Sequence, residues 1–192
     1  MAKKESTFSN MFLTLLIVTL ASSAALGYVF EVTKVPIDIA KGKKLEMAIK
    51  RVSPEFDNQP SADSYKIPEG NDTLYFYLAK EGPDTVGYAV ETFSNKGFGG
   101  KMKLLVGFLP DGTIKNIAVL ENKETPGLGD KMQKSKSAWS DQFNGKNPAN
   151  YSLKVTKDGG DVDAITASTI TSRAYCDAVQ RAYDAFEKGG KQ

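Results

Sequence analysis

The stretch Asp163-Ala164-Ile165-Thr166-Ala167-Ser168-Thr169-Ile170-Thr171-Ser172 decides how this chain is read. Its hydroxyls run directly into a segment in which Ile170, Ala174, Ala178, Ala182 and Phe186 fall four apart, with Val179 and Tyr183 widening the same stripe. That spacing belongs to an amphipathic helix, expected to begin near Ser168 or Thr169. The small polar residues before it can cap a first turn whose amides have no partner inside the helix. Free donors, the positive end of the helix dipole and several hydroxyls are also what holds a phosphate. On this physics alone, a plain capped helix and a phosphate site both stand.

Working back from the helix, Lys157-Asp158-Gly159-Gly160 reads as a turn that ends a strand over Tyr151 to Thr156. Pro126 to Gly145 reads as short helical stretches with Met132, Ala138, Trp139 and Phe143 as buried anchors. Before them lie four segments of strand character: Leu74 to Ala79, Val86 to Phe93, Met102 to Leu109 and Ile114 to Leu120. Asp111-Gly112 turns the third into the fourth, so three or four antiparallel strands are expected. Asp57 to Asp72, with Pro60, Pro68 and Gly70, reads as a loop, and Ile37 to Val52 as a polar helix that Pro54 stops. The fold class is α+β, an antiparallel sheet with a C-terminal helix, in a domain of about 160 residues that has room for a core without staples.

Residues 6–30 carry no formal charge and include the dense apolar run Met11 to Leu20, long enough for a membrane-spanning helix. A cleaved signal peptide competes with that reading, because Lys3 and Lys4 precede the run and Ala21 to Ala25 is rich in small residues. The apolar character resumes through Leu26 to Phe30, which favours a retained anchor. Lys3 and Lys4 argue for a cytoplasmic N-terminus, whereas Lys34, Lys41, Lys43 and Lys44 on the far side argue the reverse. Export of the following domain is favoured, since signal-like N-termini direct it outward and long domains cross largely regardless of charge. The expected divisions are residues 1–8 as a cytoplasmic N-terminus, 9–30 as the transmembrane helix, 31–72 as juxtamembrane helix and connecting loop, and 73–192 as the ligand-binding domain.

The composition excludes more than it nominates. With a net charge of +2 and no long basic run, nothing points to nucleic acid. With no histidine and only Cys176, the chain cannot build a Cys/His zinc site, hold an iron–sulfur cluster on its own thiolates or assemble a Ser-His-Asp or Cys-His nucleophile. Redox chemistry here needs an organic cofactor. Cys176 itself is expected as a small packed side chain.

Two further loops are punctuated by glycine: Asn95-Lys96-Gly97-Phe98-Gly99-Gly100, and Glu124-Thr125-Pro126-Gly127-Leu128-Gly129-Asp130. The first is a hairpin connection or a close approach of backbone to a flat or anionic ligand. The second starts a helix after Pro126, or lays Leu128 against an aromatic ring.

Together with the opening stretch, these loops resemble the FMN-binding domain in which flavin mononucleotide is joined through its phosphate to a threonine. That pattern is Dxx[ST]GAT followed by a β-branched residue and often by Thr-Ser. Here Asp163, Thr166, Thr169 and Ile170 match it, and Ala167 and Ser168 stand in place of its glycine and alanine. With the single N-terminal span and the Val35-Pro36 helix, the whole arrangement resembles the G subunit of Rnf-type ferredoxin:NAD oxidoreductases. A longer relative is the C subunit of the sodium-pumping NADH:quinone reductase, which remains an alternative, as does a membrane-anchored flavin sensor or assembly protein.

The resemblance implies covalent FMN on Thr169, with Ser168 a minor candidate for attachment, and FAD as donor to a separate magnesium-dependent flavin transferase. It also implies that Glu124, Thr125, Gly127, Leu128 and Gly129 border the flavin ring. Lys157 is implied near the flavin or its phosphate, raising the flavin potential, Thr171 on the phosphate, and Asp163 and Thr166 in the recognition pattern. Electrons are implied to pass between the other integral-membrane, iron–sulfur and flavin subunits of a complex in the bacterial cytoplasmic membrane. The flavin domain is implied on its outer side, and catalysis by the isolated subunit is not expected.

Overall fold

In the computed structural model, residues 7–70 and 72–189 are described; Lys3 and Lys4, the basic residues before the apolar run, lie outside them. The chain divides into two units, Met1–Lys43 and Lys44–Gln192. The first consists of the greater part of helix α1 (Phe8–Val52), whose apolar stretch has a mean hydropathy of 2.0 and no burial against protein. The sequence suggests a new helix after Pro36, but α1 runs through it uninterrupted. Proline costs the helix one backbone bond and a steric adjustment. Long helical runs on both sides hold the segment in register despite that cost. Thr14, Thr19 and Thr33 turn their hydroxyls back onto carbonyls three or four residues earlier, which satisfies these polar groups without leaving the helix.

The second unit is a five-stranded antiparallel sheet in sequential order: β1 (Ser64–Glu69), β2 (Asp72–Glu81), β3 (Asp84–Gly97), β4 (Gly100–Phe108) and β5 (Ile114–Glu121). Alternation along the strands gives the sheet two buried faces. Leu74, Phe76, Val90, Leu104, Val106 and Phe108 face helix α2 (Thr169–Gly189), which covers them with Ala174, Ala178, Val179, Ala182 and Phe186. On the opposite face, Tyr77, Ala89, Leu105 and Ala118 meet Ala48, Ile49 and Val52 from the last turns of α1.

Two elements differ from the sequence reading. Ser64–Glu69 is an edge strand paired with β2 from Ser64↔Tyr77 to Glu69↔Asp72, where the sequence suggests a loop. Its Pro68 is tolerated because an edge strand has one side without a ladder to complete. Conversely, Tyr151 to Thr156 joins no sheet among the described residues. Only a bridge between Val155 and Val162 forms, and the alternating burial of Leu153 and Val155 packs a loop into the core.

Between β5 and α2, two 3₁₀ turns, Gly129–Met132 and Trp139–Phe143, deliver buried Met132 and Phe143 to the core. Trp139, Phe143 and Tyr175 form an aromatic cluster with ring centroids 5.0–5.5 Å apart. The Tyr175 hydroxyl is wholly buried and has no hydrogen-bond partner among the described residues, and burial raises its pKa. Tyr175→Phe is therefore expected to keep or raise stability, by about 1 kcal/mol at most, in urea unfolding of the detergent-purified chain. A clear loss would reveal a partner for the hydroxyl. Cys176 is packed, and burial pushes its thiol up to about 12, an inert side chain at neutral pH.

Candidate functional site

The start of α2 is organised by Ser172, fully buried in the helix's first turns. Its hydroxyl donates to the Ser168 carbonyl at 3.0 Å and accepts the Ile165 N–H at 2.9 Å. The Ser168 N–H donates to the Ile165 carbonyl at 2.9 Å, closing a turn that presents Thr169 as the first residue of the helix. Within that turn Ala167 has φ 61°, the only non-glycine residue with positive φ among those described. This is the position at which the family pattern carries glycine, and the left-handed conformation supplies the reason. Ala167→Gly is expected to stabilise the protein by somewhat under about 1 kcal/mol, read as a raised urea midpoint, because relief of strain outweighs the greater freedom of the unfolded glycine.

The turn is anchored from outside by the backbone of Asp163. Its carbonyl accepts from Trp139 Nε1 at 2.6 Å and from Gln142 Nε2 at 3.3 Å, and its N–H donates to Gln142 Oε1 at 2.8 Å. Asp163 and Thr166 are exposed and do not line the cleft described next.

Beside the helix start opens a cleft of about 370 Å³, lined by Ala167, Ser168, Thr169, Ile170 and Thr171, by Glu124, Thr125, Leu128 and Gly129, and by Phe98. Three loops far apart in sequence thus converge on it. Their junction is Glu124, a buried carboxylate whose Oε1 accepts the Gly99 N–H at 3.1 Å and whose Oε2 accepts the Thr171 hydroxyl at 2.6 Å. The loops can come this close because of glycine. A Cβ at Gly129 would lie 2.6 Å from Glu124 Oε2, and one at Gly99 only 1.9 Å from the Lys123 carbonyl.

Phe98, Leu128 and Ile170 remain 70%, 41% and 49% exposed around the cleft. Three apolar side chains with one open space between them form a surface for a flat apolar ring, while the first-turn amides of α2 and the Ser168 and Thr169 side chains form a polar end. The donor set therefore fits a ring joined to a phosphate.

Of the residues singled out from the sequence, Glu124, Thr125, Leu128, Gly129, Ser168, Thr169 and Thr171 are brought together here, and Gly127 adjoins them on an exposed turn. The proton of Thr171 is engaged with Glu124, so this hydroxyl couples the helix to the 124–129 loop. Lys157 is not among the lining residues. It stands exposed on the turn that Asp158 ties to α2 through Arg173, at 2.7 and 2.8 Å. The Arg173 guanidinium holds the Asp158 carboxyl below the usual carboxylate range. Ile170 is a cleft residue that the periodicity assigns to the core. Steps of four residues overshoot a helical turn by about 40°, so the far end of the stripe rotates away from the sheet.

An FMN-binding domain model matches residues 97–184, from the Gly97 turn into α2. The G subunit of the ion-translocating oxidoreductase complex of Erwinia tasmaniensis is 35% identical, over 85% of this chain and 85% of its own length. The chain belongs to the family of these G subunits. The Vibrio cholerae relative is 32% identical over 94% of this chain and 90% of its own length. The G subunit of the Na⁺-translocating ferredoxin:NAD⁺ oxidoreductase complex of Acetobacterium woodii is 31% identical over 93% and 91%. The family match ends within α2 and starts at the β3–β4 turn, so it takes in all three walls of the cleft.

Proposed function

We propose that this chain carries FMN, bound through a phosphoester to Thr169, as the flavin subunit of an Rnf-type ferredoxin:NAD oxidoreductase. It is an electron-transfer subunit of an ion-translocating oxidoreductase and needs the other subunits of its complex for turnover. The observation that carries the flavin assignment is the convergence of Thr169, the 124–129 loop and Phe98 on one cleft with an apolar ring surface and a polar helix end.

FMN supplies the reversible uptake of electrons; the protein supplies position and environment. Thr169 stands at the first turn of α2, where unpaired amides and the helix dipole stabilise an attached phosphate. Phe98, Leu128 and Ile170 bury ring surface. Glu124, Gly99 and Thr171 hold together the three loops between which the ring would lie. In attachment, the Thr169 oxygen forms a bond to the flavin-side phosphorus of FAD, AMP leaves, and the hydroxyl proton goes to the flavin transferase. The exposure of Asp163 and Thr166 supports their role as marks read by that transferase.

Residues 9–30 of α1 anchor the protein in the cytoplasmic membrane, with the N-terminus inside and the FMN domain, within residues 73–192, outside. The anchor has no ionisable residue of formal charge over this span, so ion passage belongs to partner subunits. Peptide mass spectrometry of protein coexpressed with the transferase tests the assignment. A flavin phosphate on the peptide containing Thr169 is the expected result, and an unmodified peptide from folded protein overturns it.

A further inference from the structure

Among the described residues that line the cleft, Glu124 alone is ionisable. Its two hydrogen-bond donors among the described residues, the Gly99 amide and the Thr171 hydroxyl, are neutral. No lysine or arginine pairs with it among the described residues. Lys96, on the same β3–β4 turn, is engaged by Asp177, and Arg173, two residues beyond Thr171, by Asp158. Glu124 is also caged. A Cβ at Gly97 would lie 2.7 Å from Oε1 and one at Gly129 2.6 Å from Oε2, so the carboxylate is confined between two backbone surfaces.

A fixed negative charge, buried and without a counter-cation, opposes any further negative charge brought beside it, more strongly than the same charge in water. We infer that Glu124 tunes the cofactor: it biases the cleft against electrons and keeps the bound flavin a stronger reductant than a neutral cleft would. This rests on the reading of the cleft as the flavin site. It also reverses the sign of tuning expected from Lys157, which lies outside the lining. Glu124 thus has two roles, joining the three loops by its hydrogen bonds and setting the cofactor potential by its charge.

Glutamine separates the roles, because its carbonyl can accept from Gly99 and its amide can donate to the Thr171 oxygen. Full-length protein coexpressed with the transferase and purified in detergent is titrated by its visible absorption. In Glu124→Gln the midpoint is expected to move to more positive potential, with the reduced-to-oxidised ratio at fixed potential rising about tenfold, or about 30 mV for a two-electron couple. Affinity for sulfite, read as bleaching of the flavin band, is expected to rise with it, since the approaching anion meets less repulsion. Should Glu124→Gln fail to load, Glu124→Ala, which removes the charge without adding bulk, is expected to shift the midpoint in the same direction. An unmoved or more negative midpoint in a loaded variant overturns the inference. Wild-type protein without flavin overturns the cofactor assignment instead.

Discussion

Thr169→Ala is expected to remove all flavin that survives denaturation, while the protein folds as before. Thr169 is half-buried at the first position of α2, and no hydrogen bond from its side chain to the described residues holds the fold. The bonds that build the turn come from Ser172, the Ser168 backbone and Ile165. Loss of the Thr169 hydroxyl therefore costs the helix only a few tenths of a kcal/mol, the scale of an intrinsic propensity change. The flavin loses its only proposed bond to the chain. Intact mass should fall from flavin-bearing to bare polypeptide, and in-gel flavin fluorescence should vanish, with the urea midpoint close to that of flavin-free wild type. Thr169→Ser is expected to retain attachment, since it keeps the nucleophilic oxygen. The informative contrary result is a flavin adduct that persists in Thr169→Ala. That would place the tether on Ser168, whose hydroxyl neighbours the same cleft but whose residue is only 8% exposed.

The sequence shows this site more plainly than it shows the sheet around it. The hydroxyl run, the two glycine loops and the start of α2 are local patterns, and each is where the periodicity and turn chemistry of its own residues place it. Four of five strands are legible for the same reason. β1 is not, because Pro60, Pro68 and Gly70 carry the strongest local signals in that stretch, and only pairing with β2 makes Ser64–Glu69 a strand. Tyr151 to Thr156 fails in the opposite sense: its alternating apolar residues mark burial, and Leu153 and Val155 reach the core from a loop that forms a bridge to Val162 rather than a strand.

The long-range bonds are invisible to such patterns. Nothing local reveals that Glu124 would join Gly99 to Thr171, 25 and 47 residues away, or that Ile170 would leave the core stripe for the cleft. Ala167 lies between the two cases. The resemblance marks it as a departure from glycine, but the positive φ that gives the departure its physical cost is seen only once the turn is built.

The junction itself can be broken by one carbon atom at Gly129. A Cβ there would sit 2.6 Å from Glu124 Oε2, 2.8 Å from Thr171 Oγ1 and 2.9 Å from Glu124 Cβ. The carboxylate has little room to retreat, with Gly97 on its other side. Gly129→Ala must therefore separate Glu124 from Thr171 or push the 124–129 loop out of the cleft. Overpacking costs about 1–3 kcal/mol and loss of a hydrogen bond to a charged group about 1.5–3 kcal/mol. The two overlap, so destabilisation of about 2–4 kcal/mol is expected by urea unfolding, with covalent flavin reduced in parallel. Gly127→Ala is the control. Its Cβ meets open space at φ +77°. Only backbone strain is felt there, about 1 kcal/mol, with the Glu124–Thr171 bond intact. Side-chain collision and backbone strain are separated further by Glu124→Ala, which removes the atoms beyond Cβ that Gly129→Ala strikes. In that background Gly129→Ala is expected to cost at least about 1 kcal/mol less than in the wild type, a coupling characteristic of residues in direct contact. Equal costs in the two backgrounds would falsify the junction, and would trace the damage to the backbone of the loop rather than to the carboxylate it encloses.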